Sequence, residues 1–405
     1  MNLGDSARVA AMITPQGRGT FGEQAREVLS VLRTILAKQP EPMVVTVQTV
    51  FLQDPRDRAE CAQLLAEFSG ADLPVTNYVW QPPCCGAALA LEAWAIGGQG
   101  VRVEHYGPQA LAVSYDSVRW VYCAGIEPPA GASGVYPQAI DGLALMHEAL
   151  IRAGSSFERV VRTWLYLGGI TEPAGDVQRY HELNRARTDF YRNLHFQCAS
   201  RGASAPPAIY PASTGIGMAG QGLVVSCMAL ETRRDDAFLL PLENPQQTPA
   251  YAYDRHYSAQ SPKFSRAVAL VLGDYVTIWV SGTASIVNSE SCHLGDAAQQ
   301  TEQTIDNIER LIAAENFRLH GLKGAGATLQ DLAKIRVYLK RPSDLAKCRA
   351  VCERRFGAVP AVYAVADICR PELLVEIEGV AFSKYSRAAG APRPNAGRSS
   401  IRAKG

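Results

Sequence analysis

The stretch AVALVLGDYVTIWVSGTAS, residues 267–285, places two runs of apolar and β-branched residues on either side of a Gly-Asp turn. This pattern is typical of a β-hairpin. The segment AAQQTEQTIDNIERLIAAENF (297–317) follows, and its apolar residues recur at helical spacing: Ile305, Ile308, Leu311 and Ile312. The sequence therefore predicts a hairpin followed by an amphipathic helix.

The rest of the last third continues this order. LAKIRVYLK (332–340) and LLVEIEGVAF (373–382) read as strands, and DLAKCRAVCERRFG (344–357) between them reads as a helix. The middle of the chain repeats the series, from the hairpin ALAVSYDSVRWVYCAGI (110–126) to the strand GLVVSCMAL (222–230). The first hundred residues give a shortened copy in which we expect no opening hairpin.

The threefold recurrence predicts an α+β protein of three tandem units. We place these units at residues 1–104, 105–236 and 237–385, and we expect 386–405, which is polar and basic, to be a disordered tail. Because each sheet has one uncovered face, the units are expected to pack as a pseudo-trimer with sheets inward and helices outward. A chain that supplies all three clefts itself is expected to be a monomer.

Composition excludes several classes of function. Among 405 residues, 47% are hydrophobic, and 40 Lys and Arg residues balance 39 Asp and Glu residues, so we expect no nucleic-acid or membrane partner. No signal peptide or membrane-spanning run is visible, which predicts a cytoplasmic protein. The ten Cys residues contain no Cys-x-x-Cys pair, so we expect reduced thiols and no metal site.

Two resemblances add to this interpretation. The repeating unit resembles the RidA/YjgF family, whose small α+β subunits form trimers with clefts between neighbours. YPASTGIG (210–217), PLENPQQTPAYAYD (241–254), YSAQSPKFSRA (257–267) and CRPELLVEIEGVAF (369–382) together resemble the chorismatases, which release pyruvate from chorismate. The resemblance covers about residues 105–385, and we interpret the first hundred residues as an added unit.

The chorismatase resemblance implies that Glu376 is a general acid. Glu376 and Glu378 alternate with apolar residues and share one face of a strand, so periodicity alone does not choose between them. The resemblance places the matching carboxylate in a cleft between units, where burial would raise its pKa. Glu92 lies seven residues after Cys85, as Glu376 does after Cys369, and is the second candidate; the middle unit has no carboxylate in its strand.

A dicarboxylate substrate such as chorismate also needs cationic and hydrogen-bonding anchors. On the helices we single out Arg349 and the pair Arg185 and Arg187, of which at most one can face the cleft because residues two apart diverge by about 200°. On a Gly-rich loop we single out three hydroxyl residues: Tyr210, Ser213 and Thr214. Arg162 and Arg336, on strands, are interpreted as structural.

The identity of the product is implied by two small residues. In the resemblance, chorismatases that form 3-hydroxybenzoate carry a glycine and a cysteine in the pocket, which match Gly282 and Cys369, and some relatives also form 4-hydroxybenzoate. The glycine would leave room for the ring, and the thiol would assist its aromatisation. Cys85 is interpreted as a consequence of the common ancestry of the repeats and not as a functional residue.

Two other functions remain open at this point. An enamine or imine deaminase of the RidA type needs an arginine shortly after a Pro-Ala pair, but this sequence has Val362 there in the third unit and Ser213 in the middle one. A non-catalytic small-molecule binding protein is the other alternative. No Gly-rich dinucleotide or P-loop motif occurs, so no nucleotide cofactor is expected.

Overall fold

The computed structural model describes residues 2–3, 6–129, 131–197, 209–254 and 260–386. Apart from its first residue, the expected disordered tail (386–405) lies outside the described residues. The described part of the chain forms three mixed sheets in tandem, and helices cover one face of each. This confirms the predicted α+β class and the three units. None of the described helices combines the length and apolarity needed to cross a bilayer.

The first unit contains a five-stranded sheet in the order β1-β2-β5-β3-β4 and two helices. Its elements are β1 (Asn2–Leu3), β2 (Ser6–Ile13), α1 (Phe21–Ala37), β3 (Met43–Leu52), α2 (Arg58–Ser69), β4 (Val75–Val79) and β5 (Leu89–Gly98). The antiparallel pairing of β1 with β2 forms a short opening hairpin. The prediction that this hairpin is missing was therefore wrong; its first strand is too short to show a periodic pattern.

The second unit contains a six-stranded sheet in the order β12-β9-β13-β8-β7-β6. Its elements are β6 (Arg102–His105), β7 (Ala110–Tyr115), β8 (Val118–Ile126), α3 (Val135–Arg152), β9 (Val160–Gly168), β10 (Pro173–Ala174), β11 (Val177–Gln178), α4 (Arg179–Tyr191), β12 (Ala212–Met218) and β13 (Leu223–Thr232). Because β6 pairs with β7, it belongs to this sheet, and the unit begins before residue 105.

The third unit has the sheet order β14-β15-β16-β21-β19-β20. Its elements are β14 (Ala237–Leu242), β15 (Ala267–Leu272), β16 (Tyr275–Ala284), β17 (Ile286–Val287), β18 (Glu290–Ser291), α5 (Ala297–Ile312), α6 (Ala314–Leu319), β19 (Leu332–Leu339), α7 (Leu345–Phe356), β20 (Ala361–Val365) and β21 (Val375–Lys384). The last strand is central, and the parallel pair of β19 with β20 forms one edge. The parallel pairs β3 with β4 and β9 with β12 occupy the same place in the other units.

The three sheets pack against one another around a pseudo-threefold axis. Each unit has its own apolar core between sheet and helices, and a further core is shared by all three sheets, with Ile96, Trp120 and Trp279 among its members. At the three junctions β4 packs on β8, β12 on β16, and β20 on β2. In this cyclic arrangement one cleft lies between the second and third units and another between the first and third units.

Candidate active site

The cleft that holds the predicted acid lies between the second and third units. Helix α4 of the second unit forms one wall, and strands β16 and β21 of the third unit form the other. Its volume in the absence of a ligand is about 80 Å³, which is below the usual range for small-molecule sites. The polar side chains that line it include Asn184, Tyr253, Arg266, Arg370 and Glu376.

Glu376 projects from the central strand β21 into this cleft. It lies opposite Ala284 of β16 and Tyr338 of β19, and only 4% of its surface is exposed. Burial raises the pKa of its carboxyl group to about 8; the nearby charge of Glu378 adds to this rise, and that of Arg162 opposes it. A carboxyl group in this state is largely protonated at pH 7 and can donate a proton.

Gly282 allows the Glu376 carboxyl group to occupy its position. A Cβ atom at residue 282 would overlap that carboxyl group and would also lie 3.2 Å from Cγ2 of Thr214. The main-chain N–H of Gly282 donates to Oγ1 of Thr214 at 3.0 Å, which fixes this part of β16. In the sequence analysis the glycine was interpreted as leaving room for a substrate ring, whereas in the structure the space is taken by the acid itself.

Glu378 shares a strand face with Glu376 but lies in a different environment. Its carboxylate accepts hydrogen bonds from Nη2 of Arg162 at 2.6 Å and from Nε1 of Trp164 at 3.0 Å, and Nη1 of Arg336 lies 3.2 Å away. Burial alone would raise the pKa of Glu378, but the guanidinium groups of Arg336 and Arg162 outweigh it and lower the pKa. Glu378 is therefore an ionised structural carboxylate, and of the two residues that periodicity left open Glu376 is the one whose pKa allows it to donate a proton.

Glu92, the second candidate acid, belongs to the same ion-pair network. It is paired with Nζ of Lys334 at 3.0 Å and with Nε of Arg336 at 2.5 Å. Burial opposes ionisation, yet the charges of Arg336 and Lys334 hold the pKa of Glu92 at about 2. Glu92 is thus ionised and already paired, so its proposed role as an acid was wrong.

The register of the sheets explains this error. Phe51 and Tyr338 occupy equivalent places on β3 and β19; Phe51 lies opposite Ala90, and Tyr338 lies opposite Glu376. The counterpart of Glu376 in the first unit is consequently Ala90, and Glu92 corresponds to Glu378. The equal Cys-to-Glu spacing in the sequence therefore selected Glu92, which lies two residues after the true counterpart, Ala90.

Cys369 lies in the loop before β21, ahead of the strand predicted over residues 373–382. Residues 366–374 form a loop, and the strand begins at Val375. The side chain of Cys369 lines the cleft, and Nε2 of Gln178 donates to its main-chain carbonyl at 3.1 Å. Burial raises the pKa of the thiol to about 12, so Cys369 is a neutral thiol at pH 7 and not a thiolate nucleophile.

Two of the predicted anion anchors lie elsewhere. Arg349 faces a different cleft, between the first and third units, where it pairs with Glu353 at 2.8 Å and is largely exposed. Arg185 points outward, pairs with Glu182 at 2.6 Å, and its guanidinium lies over the ring of Tyr136. Neither residue contacts the cleft of Glu376, because the direction in which a helix faces depends on packing between units.

The remaining predicted anchors lie on helix α4 or close to it. Arg187 is buried and donates to Oδ1 of Asn184 at 2.6 Å and to Oγ of Ser213 at 3.3 Å. Ser213 and Thr214 lie on strand β12, whose backbone pairs with β9, so the expected anion-binding loop is a strand. Tyr210 stacks on Tyr191, at a centroid distance of 6.2 Å, and is not among the residues that line the cleft.

The sequence analysis missed two cationic residues that do line the cleft. Arg266 is only 4% exposed, its Nη2 donates to the hydroxyl of Tyr253 at 2.6 Å, and its buried Nε has no hydrogen-bond partner among the described residues. Arg370 donates from Nη1 to the carbonyl of Ser289 at 2.9 Å. A signal was available, because Arg370 directly follows Cys369 and Arg266 lies in one of the quoted motifs.

Val362 stands where a RidA-type deaminase would need its arginine. It is fully buried in an apolar cluster shared by the three sheets, which also contains Phe51 and Tyr166. This position therefore offers no cation to a substrate carboxylate.

The fold and the inter-unit clefts define a protein built from RidA/YjgF-like units. The model of the family described as Endoribonuclease L-PSP matches residues 258–383. The chain is 32% identical to a 3-hydroxybenzoate synthase of Streptomyces hygroscopicus over 296 residues, which is 71% of this chain and 80% of the relative. It is 33% identical to a chorismatase of Streptomyces rapamycinicus over 66% of this chain and 78% of the relative. The chain belongs to the chorismatase family, and the family is one of enzymes.

A crystal structure of a chorismatase shows the same fold. It matches with a TM-score of 0.66 at 22% identity and covers 94% of this chain and 100% of the other. The part of this chain outside the match is 6% of 405 residues, or about 24 residues. The first unit, which we placed at residues 1–104, is longer than that, so the match must extend into it. The interpretation of the first hundred residues as an addition to the chorismatase fold was therefore wrong.

Proposed function

We propose that this enzyme converts chorismate to 3-hydroxybenzoate and pyruvate, with Glu376 as the general acid. The observation that carries the proposal is the buried Glu376 carboxyl group, which burial keeps largely protonated at pH 7, in a cleft also lined by Arg266 and Arg370. The name of the 3-hydroxybenzoate synthase relative supports the choice of product.

The first step is proton transfer from Glu376 to the methylene carbon of the enolpyruvyl group. This gives an oxocarbenium ion, and rupture of its ether bond to the ring then releases the three-carbon fragment as pyruvate. The oxygen of the ring C4 hydroxyl group bonds to C3 as that ether bond breaks, the C4–O bond then breaks, and C3 loses its proton. The aromatic product therefore carries its hydroxyl group at position 3, and the overall reaction consumes no net water. Burial keeps the acid protonated before the substrate enters, which suits proton donation near neutral pH.

Arg266 and Arg370 are the proposed anchors for the two carboxylates of chorismate. Both arginines line the cleft, Arg266 with a buried Nε, and both guanidinium groups lie near the ring of Tyr253. Guanidinium groups bind carboxylates in a fixed, forked geometry, which would orient the enolpyruvyl group toward Glu376. Cys369 is proposed to direct the ring rearrangement as a neutral thiol.

One incubation tests the proposal. The purified protein is mixed with chorismate, pyruvate is followed with lactate dehydrogenase and NADH, and the ring products are separated by chromatography. We expect pyruvate and 3-hydroxybenzoate in equal amounts. Unchanged chorismate would overturn the function, and pyruvate with a non-aromatic dihydroxy acid would overturn the product assignment.

A further inference from the structure

A second buried carboxyl group lies behind the wall of the cleft, in the loop after β14. Oε1 of Glu243 accepts a hydrogen bond from the main-chain N–H of Arg266 at 3.3 Å. The main-chain N–H of Glu243 donates to Nε2 of His320 at 3.1 Å. Its other carboxyl oxygen, Oε2, is buried and has no hydrogen-bond partner among the described residues. A buried polar atom in this state is costly, so stability does not account for it.

Arg266 connects this carboxyl group to the cleft. Its guanidinium group donates to the carbonyl of Thr248 at 3.0 Å and to the hydroxyl of Tyr253 at 2.6 Å, and its ring neighbours are Tyr253 and Phe264. None of these partners carries a negative charge at neutral pH. Glu243 is therefore the carboxyl group placed to balance the charge of Arg266 when the cleft is empty.

We propose that Glu243 is a positioning residue that acts through Arg266: it balances the guanidinium charge in the empty cleft and takes up a proton when an anionic ligand binds there. This proposal rests on the proposed function, because it requires a carboxylate ligand beside Arg266. The ligand's charge replaces that of Glu243, and the Glu243 carboxyl group becomes neutral. Binding and protonation are thereby coupled.

The electrostatics of the site give the sign of this coupling. Burial raises the pKa of Glu243 to about 7, while the charge and the N–H of Arg266 act in the opposite direction. A ligand carboxylate near Arg266 would cancel that opposing charge and raise the pKa of Glu243 further. Among the residues that the structure describes, the other titratable groups that face Glu243 are Tyr251 and His320. Ligand affinity should therefore fall as the pH rises above about 7.

The coupling can be measured by titration calorimetry with chorismate as the probe. The measurements use the Glu376→Gln protein, in which turnover is expected to be at least roughly 10²-fold slower and the Glu376 carboxyl group, whose pKa is also raised, is absent. Titrations at pH 7 in buffers of different ionisation enthalpy give the number of protons bound with the ligand. We expect about half a proton per chain, because a group with a pKa near 7 is half-protonated before binding. Affinity should fall roughly tenfold between pH 6 and 8.5.

Adding Glu243→Gln should abolish the proton uptake and flatten the pH profile while the protein still binds chorismate. The matched control is Asp344→Asn, which alters a buried carboxyl group of the same unit that pairs with Lys347 and lies outside the cleft; it should leave the uptake unchanged. Chorismate binding without proton uptake, or uptake that persists after Glu243→Gln, would overturn this proposal alone. No binding of chorismate at any pH would overturn it together with the proposed function.

Discussion

Glu376 and Glu378 are two residues apart on one face of β21, yet at neutral pH the first carboxyl group is largely neutral and the second is ionised. Glu378 lies between Arg162 and Arg336 and is ionised, whereas Glu376 is buried without a cation within hydrogen-bonding distance among the described residues. The ionised neighbour also helps to keep Glu376 protonated. At the scale of single residues, the site thus consists of an acid and a fixed negative charge beside it.

Replacing Glu376 by Gln should remove the proton donor with little change of shape. We expect pyruvate release to fall by roughly 10²-fold or more, which is the usual contribution of a general acid. The control is Glu372→Gln, since Glu372 hydrogen bonds to Ser291 at the surface and does not line the cleft. Nearly normal turnover by a folded Glu376→Gln protein would contradict the assignment.

The stability of the parent protein should depend on pH through Glu376. The folded pKa of about 8 lies above the ordinary value of 4.5, so the folded state binds the proton more tightly than the unfolded state. The resulting stability is fully present below about pH 4.5 and is lost as the pH rises toward 8. Between pH 5 and 8.5, the unfolding free energy of the parent should therefore fall by about 2 kcal/mol or more relative to that of Glu376→Gln, which lacks the titrating group. Urea unfolding at both pH values measures this; parallel pH profiles would contradict it.

Cys369→Ala separates the two chemical roles in the cleft. Because Glu376 and the arginines remain, we expect chorismate consumption and pyruvate release to continue. The ring product should shift from 3-hydroxybenzoate toward a non-aromatic dihydroxy acid or another isomer. Chromatography of the same reaction in which pyruvate is measured provides the test. An unchanged product profile would make Cys369 a space-filling residue, with a loss of roughly 1 kcal/mol in stability from the cavity.

The sequence led to some of these residues and not to others for identifiable reasons. Glu376, Cys369 and Gly282 were found through motifs, and the structure brings all three to one cleft. Arg349 and Arg185 were chosen by their place on a helix, but helical spacing does not determine which of three units a helix faces. Glu92 was misassigned because spacing from a cysteine was used in place of strand register.

At the scale of elements, β16 and β21 hold the site through an irregular pairing. Their register shifts between Val280 and Thr283, so Gly282 falls within the irregular segment beside Glu376. The alternation of apolar residues predicted both strands, but it gives no information on such a shift. The same limit applies to the start of β21, which was predicted at residue 373 and lies at Val375.

Gly282→Ala should therefore damage activity through the position of Glu376. The added methyl group would overlap the Glu376 carboxyl group and force it to move. We expect at least a tenfold loss of pyruvate release, with the protein still folded by circular dichroism. Gly222→Ala is the matched control, since its Cβ would meet only Cε of Met218 at 3.7 Å, an ordinary contact. Equal activity of the two variants would contradict this role of Gly282.

At the scale of the whole molecule, one arginine joins the three units. Arg336 of the third unit donates to Glu92 of the first at 2.5 Å and to the hydroxyl of Tyr166 of the second at 2.7 Å, and it lies 3.2 Å from Glu378. Sequence analysis correctly left Arg336 as structural. The partners in the first and second units were not predictable, because Glu92 and Tyr166 come from distant parts of the chain.

Replacing Arg336 by Met should destabilise the protein by about 3–5 kcal/mol, because it leaves buried carboxylates with fewer cations. Urea unfolding followed by fluorescence measures the loss. Arg349→Met serves as the control, since its ion pair with Glu353 is exposed, and the change should be within about 0.5 kcal/mol. A similar stability of the two variants would show that the network contributes little.

The register of the three sheets has a consequence for how such a chain can change over time. The places equivalent to Glu376 hold Ala90 in the first unit and Val224 in the second, which lies opposite Tyr166 as Glu376 lies opposite Tyr338. In an assembly of three identical subunits, every mutation would be copied into all three clefts. Here the residues of each cleft are encoded separately, so one cleft can be selected for chemistry while the sequences of the other two are free to drift. Titration with a tight-binding inhibitor should therefore count one catalytic centre per polypeptide.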